Sequence, residues 1–267
     1  MLSKITTISC VCTVLRKCRG FGIFFDNFML LERFNKMEIL GLQKLTLLDY
    51  PKKCAATIFL GGCNFRCPFC HNGDLVCDNF PLPLSEDEVF TFLKKRQGIL
   101  DGVCITGGEP LLNKDIASLI VKIRSLGYLI KLDTNGSNPT LLKELLDDGV
   151  INYAAMDIKN SLGKYPESIG ISDFNTESIT ASAEILINSG IDYEFRTTVV
   201  SELHEKSDFE KIGAWLKGCK NFYLQKFEDS EYVIQKGLHS PSDEQLREYA
   251  EILKKYIKNV GIRGIDK

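Results

Sequence analysis

The sequence predicts an α/β fold built on a parallel sheet, and three observations carry that prediction. Six short β-branched or aromatic runs alternate with six helix-like segments between residues 55 and 258. Ser85-Glu-Asp-Glu88 and Ser242-Asp-Glu-Gln245 are capping boxes, each placed where a helix should open. Unusual polar residues follow the predicted strands, at the C-terminal ends where such sheets build their sites.

Each element has its own local reason. Ala55–Phe59 is a compact apolar run that fits a buried strand. After a loop rich in glycine and cysteine, Ser85 opens a helix reaching about Gln97. Gly102–Thr106 reads as the second strand, and Asn113–Ser125 as a helix stopped by Gly127. Tyr128–Asp133 is the third strand. Pro139 then sits in the first turn of a helix through Leu146, where its missing N–H costs nothing. Tyr153–Asp157 is the fourth strand, and a helix from about Asn175 ends at Gly190. Tyr193–Val200 is the fifth strand, with a helix near Asp208–Leu216, and Asn221–Gln225 the sixth. Ser242 starts a last helix to about Lys258. Consecutive parallel strands joined by helices imply right-handed crossovers and one catalytic face.

Composition narrows the function. Of 267 residues, 44% are hydrophobic and 25% charged, as in ordinary globular chains. Lysine plus arginine number 33 against 35 aspartate plus glutamate, a formal charge of -2 that offers nucleic acid no basic footprint. No apolar run reaches the ~18 residues of a spanning helix, so no membrane association is expected. The start lacks the hydrophobic core and cleavage site of a signal peptide, and a cytoplasmic location is expected. Residues 1–36 hold three cysteines, an aromatic-rich run at Phe21–Phe28 and no period of 2 or 3.6. They are expected to be a dispensable, poorly structured extension, from a start called too early, ahead of one functional domain at 37–267.

The ten cysteines are the anomaly. Seven are scattered, which suits a reducing compartment, but Cys63-Asn-Phe-Arg-Cys67-Pro-Phe-Cys70 clusters three on one loop. Three thiolates from so short a segment can converge on one metal centre. The spacing alone admits an iron–sulfur cluster with one open iron, a zinc site completed by His71, or a redox pair of Cys67 and Cys70. Cys54 and Cys104 are expected inside strands and read as small core residues. A second signal follows the next strand: Gly107-Gly108-Glu109-Pro110. Two glycines let a ligand approach the backbone closely, and the Glu109 carboxylate can receive an ammonium.

Together these motifs resemble the radical S-adenosylmethionine superfamily. Cys63, Cys67, Phe69 and Cys70 match its C-x3-C-x-aromatic-C hallmark, and Gly107, Gly108 and Glu109 its Gly-Gly-Glu loop. The resemblance runs from about Met37 to the C-terminus and implies a partial (β/α)6 barrel. It is closest to the glycyl-radical-enzyme activases. Gly41-Leu-Gln-Lys-Leu-Thr-Leu-Leu-Asp-Tyr-Pro51, Phe59–Asn72 and Gly107-Gly-Glu-Pro-Leu-Leu112 look like the branch that activates anaerobic ribonucleoside-triphosphate reductase.

The resemblance implies a [4Fe–4S] cluster on Cys63, Cys67 and Cys70, with S-adenosylmethionine on its open iron and His71 left out. It puts Phe69 near the adenine and Glu109 on the methionyl ammonium. Asn72, Gly107 and Gly108 join the cofactor-binding set. Asp157 and Lys159, an Asp-x-Lys after the fourth strand, fall near ribose and carboxylate, and Arg196 contacts that carboxylate. Asp133, Thr134 and Asp157 would share a monovalent cation. The expected partners are a glycyl radical enzyme, here the reductase, and a flavodoxin or ferredoxin as electron donor. One departure bears on the partner: Leu224-Gln225 stands where the pyruvate formate-lyase activase pattern has histidine. The rival readings are an activase of pyruvate formate-lyase or another glycyl radical enzyme, a small-molecule enzyme such as 7-carboxy-7-deazaguanine synthase, and a zinc-binding interaction module.

Overall fold

The computed structural model describes residues 37–76 and 82–265. The expectation for residues 1–36 therefore lies outside the described residues, as does Cys77.

Among the described residues eight strands form one sheet in sequence order, two more than the sequence predicts. They are β1 (Ile39–Thr46), β2 (Ala55–Leu60), β3 (Gly102–Gly107), β4 (Leu129–Thr134), β5 (Tyr153–Asp157), β6 (Asp192–Val199), β7 (Asn221–Lys226) and β8 (Asn259–Arg263). The six expected strands are β2 to β7, each within about a residue of its predicted bounds. All neighbours from β2 to β8 pair in parallel, and β1 runs antiparallel to β2. The order never reverses, so β1 and β8 are the two edges of a partial barrel.

Both additional strands escaped the sequence reading for local reasons. In β1, Gly41 and a polar Gln43-Lys44 pair break the apolar alternation, and the register shifts on either side of Gly41–Gln43. A Cβ at Gly41 would press on the Phe59 ring at 3.3 Å, and the ring would have to give by a few tenths of an ångström. In β8, a five-residue Asn-Val-Gly-Ile-Arg run is too short to stand out, and the expected helix end at Lys258 absorbed its approach. That helix stops at Lys254.

The helices are α1 (Gly73–Val76), α2 (Glu86–Lys95), α3 (Ile116–Ser125), α4 (Pro139–Asp147), α5 (Tyr165–Ile169), α6 (Glu177–Ile187), α7 (Lys206–Trp215) and α8 (Asp243–Lys254). Ser85 accepts from the Glu88 N–H at 3.2 Å while its own N–H donates back to the Glu88 carboxylate at 2.9 Å. Ser242 and Gln245 repeat this arrangement at α8. Helix α3 begins three residues later than expected, because Pro110–Leu112 forms a separate 3-10 turn. Its buried Ile116, Leu119, Ile120 and Ile123 recur at helical spacing and join the common core. At roughly 1.5–3 kcal/mol per buried aliphatic side chain, such stripes hold the helices to the sheet.

The barrel strands alternate strictly. In β4, Ile130 and Leu132 enter the apolar core, whereas Lys131 and Asp133 share the other face. In β6, Tyr193 and Phe195 do the same, leaving Glu194 and Arg196 on the face they share. That second face is the polar interior on which the site is built.

Candidate active site at the C-terminal ends of the strands

The cysteine loop leaves β2 and is pinned at intervals by main-chain bonds. Gly62 N donates to Leu75 O at 2.9 Å, Arg66 N to Ile169 O at 2.8 Å, and Gln235 N to Pro68 O at 2.9 Å. The Arg66 guanidinium folds back onto the carbonyls of Cys63 and Phe65 at 2.6 and 2.8 Å. Phe65 and Phe69 are buried, with Phe65 edge-on to Phe174 at 5.2 Å. So anchored, Cys63, Cys67 and Cys70 line one cavity of about 180 Å³. Burial pushes the Cys63 thiol up to about 11 and the Cys67 thiol to about 12. A metal binding there must therefore displace thiol protons.

The Gly-Gly-Glu loop sits against the same strand end. Gly108 N donates to Leu60 O at 2.9 Å and Glu109 N to Gly62 O at 2.8 Å. A Cβ on Gly107 would fall 2.2 Å from Leu60 O, and one on Gly108 1.9 Å from Gly62 O. The glycines are thus required by the neighbouring backbone, whereas the sequence reading attributed them to an approaching ligand. Both still line the cavity.

Glu109 has protein donors on both side-chain oxygens. Its side chain is fully buried, and its oxygens accept from Leu111 N at 3.0 Å, Thr134 Oγ1 at 2.7 Å and Asn135 N at 2.6 Å. Burial outweighs these donors and raises the carboxyl to about 7. In this arrangement Glu109 is a joint between β3 and β4, with its oxygens already turned to protein donors rather than to an ammonium.

Asp133, Asp157, Lys159 and Arg196 come together on the cavity wall. The Arg196 guanidinium lies between the two aspartates, 2.9 Å from Asp157 Oδ1 and 3.1 Å from Asp133 Oδ2. Lys159 meets the other Asp157 oxygen at 2.9 Å. Although burial opposes ionisation, Arg196 and the lysines hold both carboxyls below the usual range, Asp157 furthest. The same attraction raises Lys159 and Arg196 against their desolvation. Asp157 and Lys159 thus form a partly buried ion pair on the cavity wall.

His71 also lines the cavity, its ring 5.5 Å from Phe227, and burial lowers its pKa toward the neutral form. Asn72 lines it too, although its amide donates to Gly107 O at 3.1 Å.

Three contributors were not singled out from the sequence. Asn135 reaches across to Asn64 Oδ1 at 2.9 Å and toward Cys63 Sγ at 3.9 Å. Thr198 lines the cavity from β6. Lys131 pairs with Asp133 from inside the barrel. The one available signal for Lys131 was a lysine between the apolar Ile130 and Leu132 of a strand.

Comparisons with known proteins agree with this architecture. The family model of the radical SAM superfamily matches residues 57–216. A Methanocaldococcus jannaschii protein, provisionally named a glycyl-radical enzyme activating enzyme, is 34% identical over 237 residues, covering 86% of this chain and 98% of that one. The 7-carboxy-7-deazaguanine synthase of Methanospirillum hungatei is 30% identical over 156 residues, 57% of this chain and 62% of that one. In fold, the chain is similar to Streptococcus suis SuiB bound to S-adenosylmethionine, with TM-score 0.63 and 15% identity over 97% of this chain and 61% of that one. It is also similar to a domain of the pyruvate-formate lyase-activating enzyme of Bacteroides vulgatus, with TM-score 0.51 and 16% identity, covering 61% of this chain and 99% of that domain.

Proposed function

This chain belongs to the radical SAM superfamily, and from that premise we propose that it is an activase that generates a glycyl radical on anaerobic ribonucleoside-triphosphate reductase. The observation that carries the catalytic part is the convergence of three thiols from one loop with Asp157, Lys159 and Arg196 around a single cavity.

Three thiols on one cavity have the donor chemistry of an iron–sulfur site with one open position, although among the described residues no three such side chains are drawn together as a formed metal site. Cys63, Cys67 and Cys70 line the cavity, and the other described cysteines, Cys54, Cys104 and Cys219, are not among its lining residues. Cys63, Cys67 and Cys70 would hold a [4Fe–4S] cluster, which would supply the electron for reductive cleavage of S-adenosylmethionine and so the radical chemistry that an activase directs at a glycine Cα–H. The chain's own residues hold and orient the substrates. Lys159 and Arg196 present positive charge to a carboxylate, and Asp157 keeps both in place. Phe69 gives the loop an apolar edge for the adenine, and Asn72 ties that loop to Gly107. The partial barrel is open between β1 and β8, which suits a protein substrate whose glycine loop must reach the cavity.

The choice of partner is supported by sequence: Gly41–Pro51, Phe59–Asn72, and Leu224-Gln225 in place of histidine. The activase reading is favoured over a small-molecule synthase because the jannaschii relative covers 86% of the chain and the hungatei synthase 57%. A flavodoxin or ferredoxin would deliver the electron. Among the described residues no helix is long and apolar enough to cross a membrane. Mixing the reduced, iron-loaded protein with S-adenosylmethionine and the reductase should produce a glycyl doublet in electron paramagnetic resonance. A doublet with pyruvate formate-lyase but none with the reductase would transfer the assignment to that partner.

A further inference from the structure

The resemblance sets a monovalent cation among Asp133, Thr134 and Asp157, and the structure answers that expectation with a residue the sequence reading passed over. The three residues line one cavity, but each side-chain oxygen already has a partner. Asp133 is held by Lys131 and Arg196, and Asp157 by Arg196 and Lys159. The Thr134 hydroxyl donates to Glu109 at 2.7 Å and accepts from Gly136 N at 3.0 Å. Glu194, two residues before Arg196 on the same face, is matched by a two-pronged Arg263 at 2.8 and 2.9 Å.

Lys131 itself is 1% exposed, deep in the polar interior of the barrel. Beyond Asp133, its ammonium lies 3.7 Å from Cys104 Sγ and 6.0 Å from the centre of the Tyr153 ring. Carboxylate, sulfur and π-face thus surround its protons, and the ammonium is compact enough to sit where a hard cation would. Three cations, Lys131, Arg196 and Lys159, stand against two carboxylates, which leaves one positive charge. A metal cation could reach these aspartate oxygens only by displacing Lys131, Arg196 or Lys159, since each oxygen is already paired.

We propose that Lys131 is the built-in cation of this site, so that the protein needs no monovalent metal and the residual charge is reserved for a carboxylate ligand. The residues present do not fit the bound cation that the resemblance implies. The carboxylate part rests on the S-adenosylmethionine reading above; the Lys131 part does not.

The test compares the full, anaerobically iron-loaded chain in potassium, sodium and choline chloride at matched ionic strength, reading melting temperature and S-adenosylmethionine affinity by calorimetry. The wild type should show the same melting temperature and affinity in all three salts. Lys131→Met removes the charge at similar size; in choline its affinity should fall about tenfold, as for loss of a charge-assisted contact, and potassium or sodium should restore it. A saturable gain of wild-type melting temperature or affinity in potassium or sodium over choline would overturn the proposal, and needs no variant. So would Lys131→Met binding as tightly as wild type in choline. Absence of S-adenosylmethionine binding in every salt would instead sink the cofactor reading, with the melting temperatures still deciding the cation.

Discussion

The side-chain amide of Asn72 donates to the main-chain carbonyl of Gly107 at 3.1 Å, joining the cysteine loop to the Gly-Gly-Glu loop across thirty-five residues of sequence. Together with the bond from Glu109 N to Gly62 O, it fixes the mutual position of the two loops that carry the motifs. Asn72→Ala removes about 1 kcal/mol of that order. The expected outcome is S-adenosylmethionine affinity weakened about fivefold with iron content unchanged. Calorimetric titration and an iron assay on the same preparation check it; a loss of iron would show that Asn72 supports the cluster loop instead.

The three loop cysteines have no spare among the cavity-lining residues. Replacing Cys63, Cys67 or Cys70 by alanine should each reduce iron to background. Cys54→Ala and Cys219→Ala should retain it, because neither side chain lines the cavity. Anaerobic reconstitution followed by iron and sulfide determination decides the matter, and a retained cluster in any of the first three variants refutes the site.

Gly108 is held by backbone contact. A Cβ there would meet Gly62 O at 1.9 Å and Cys63 Cβ at 3.3 Å, and main chain gives way far less readily than a flexible side chain. Gly108→Ala should destabilise the protein by about 1–3 kcal/mol and lower iron loading, by displacing the cysteine loop. Gly163→Ala, with nothing within 4 Å of the added carbon, is the matched control. Equal denaturation midpoints for the two variants would contradict this account.

Glu109 makes stability depend on pH in a defined direction. Burial raises its carboxyl from 4.5 to about 7, so between those values the folded chain holds a proton that the unfolded chain has released. Stability from this group is fully present below about 4.5 and is lost as pH rises to about 7. The unfolding free energy of wild type minus that of Glu109→Gln should therefore decline across this window and level off above it. Subtracting the variant removes the opposite dependence of Asp133 and Asp157, whose lowered pKa values cost stability only in acid. A difference that rises with pH would mean that the three donors outweigh burial.

The sequence by itself determined the strand–helix alternation, the two capping boxes and the three-cysteine loop. These are local: Ser85 and Glu88 are three residues apart, and the cysteines fall within one eight-residue segment. It also brought forward Asp157, Lys159 and Arg196, which line the cavity. Only the tertiary structure decided that Glu109 ties strands together, that Gly107 and Gly108 make room for backbone, and that Lys131 neutralises Asp133 from within. Glu109 finds Thr134 and Asn135 twenty-five and twenty-six residues on, and Asn135 finds Asn64 seventy-one residues back. β1 and β8 likewise depend on pairing with β2 and β7, because neither run carries enough apolar alternation to declare itself. A buried charge or a glycine has no signature along the chain, since its role is set by whatever the folded sheet places against it.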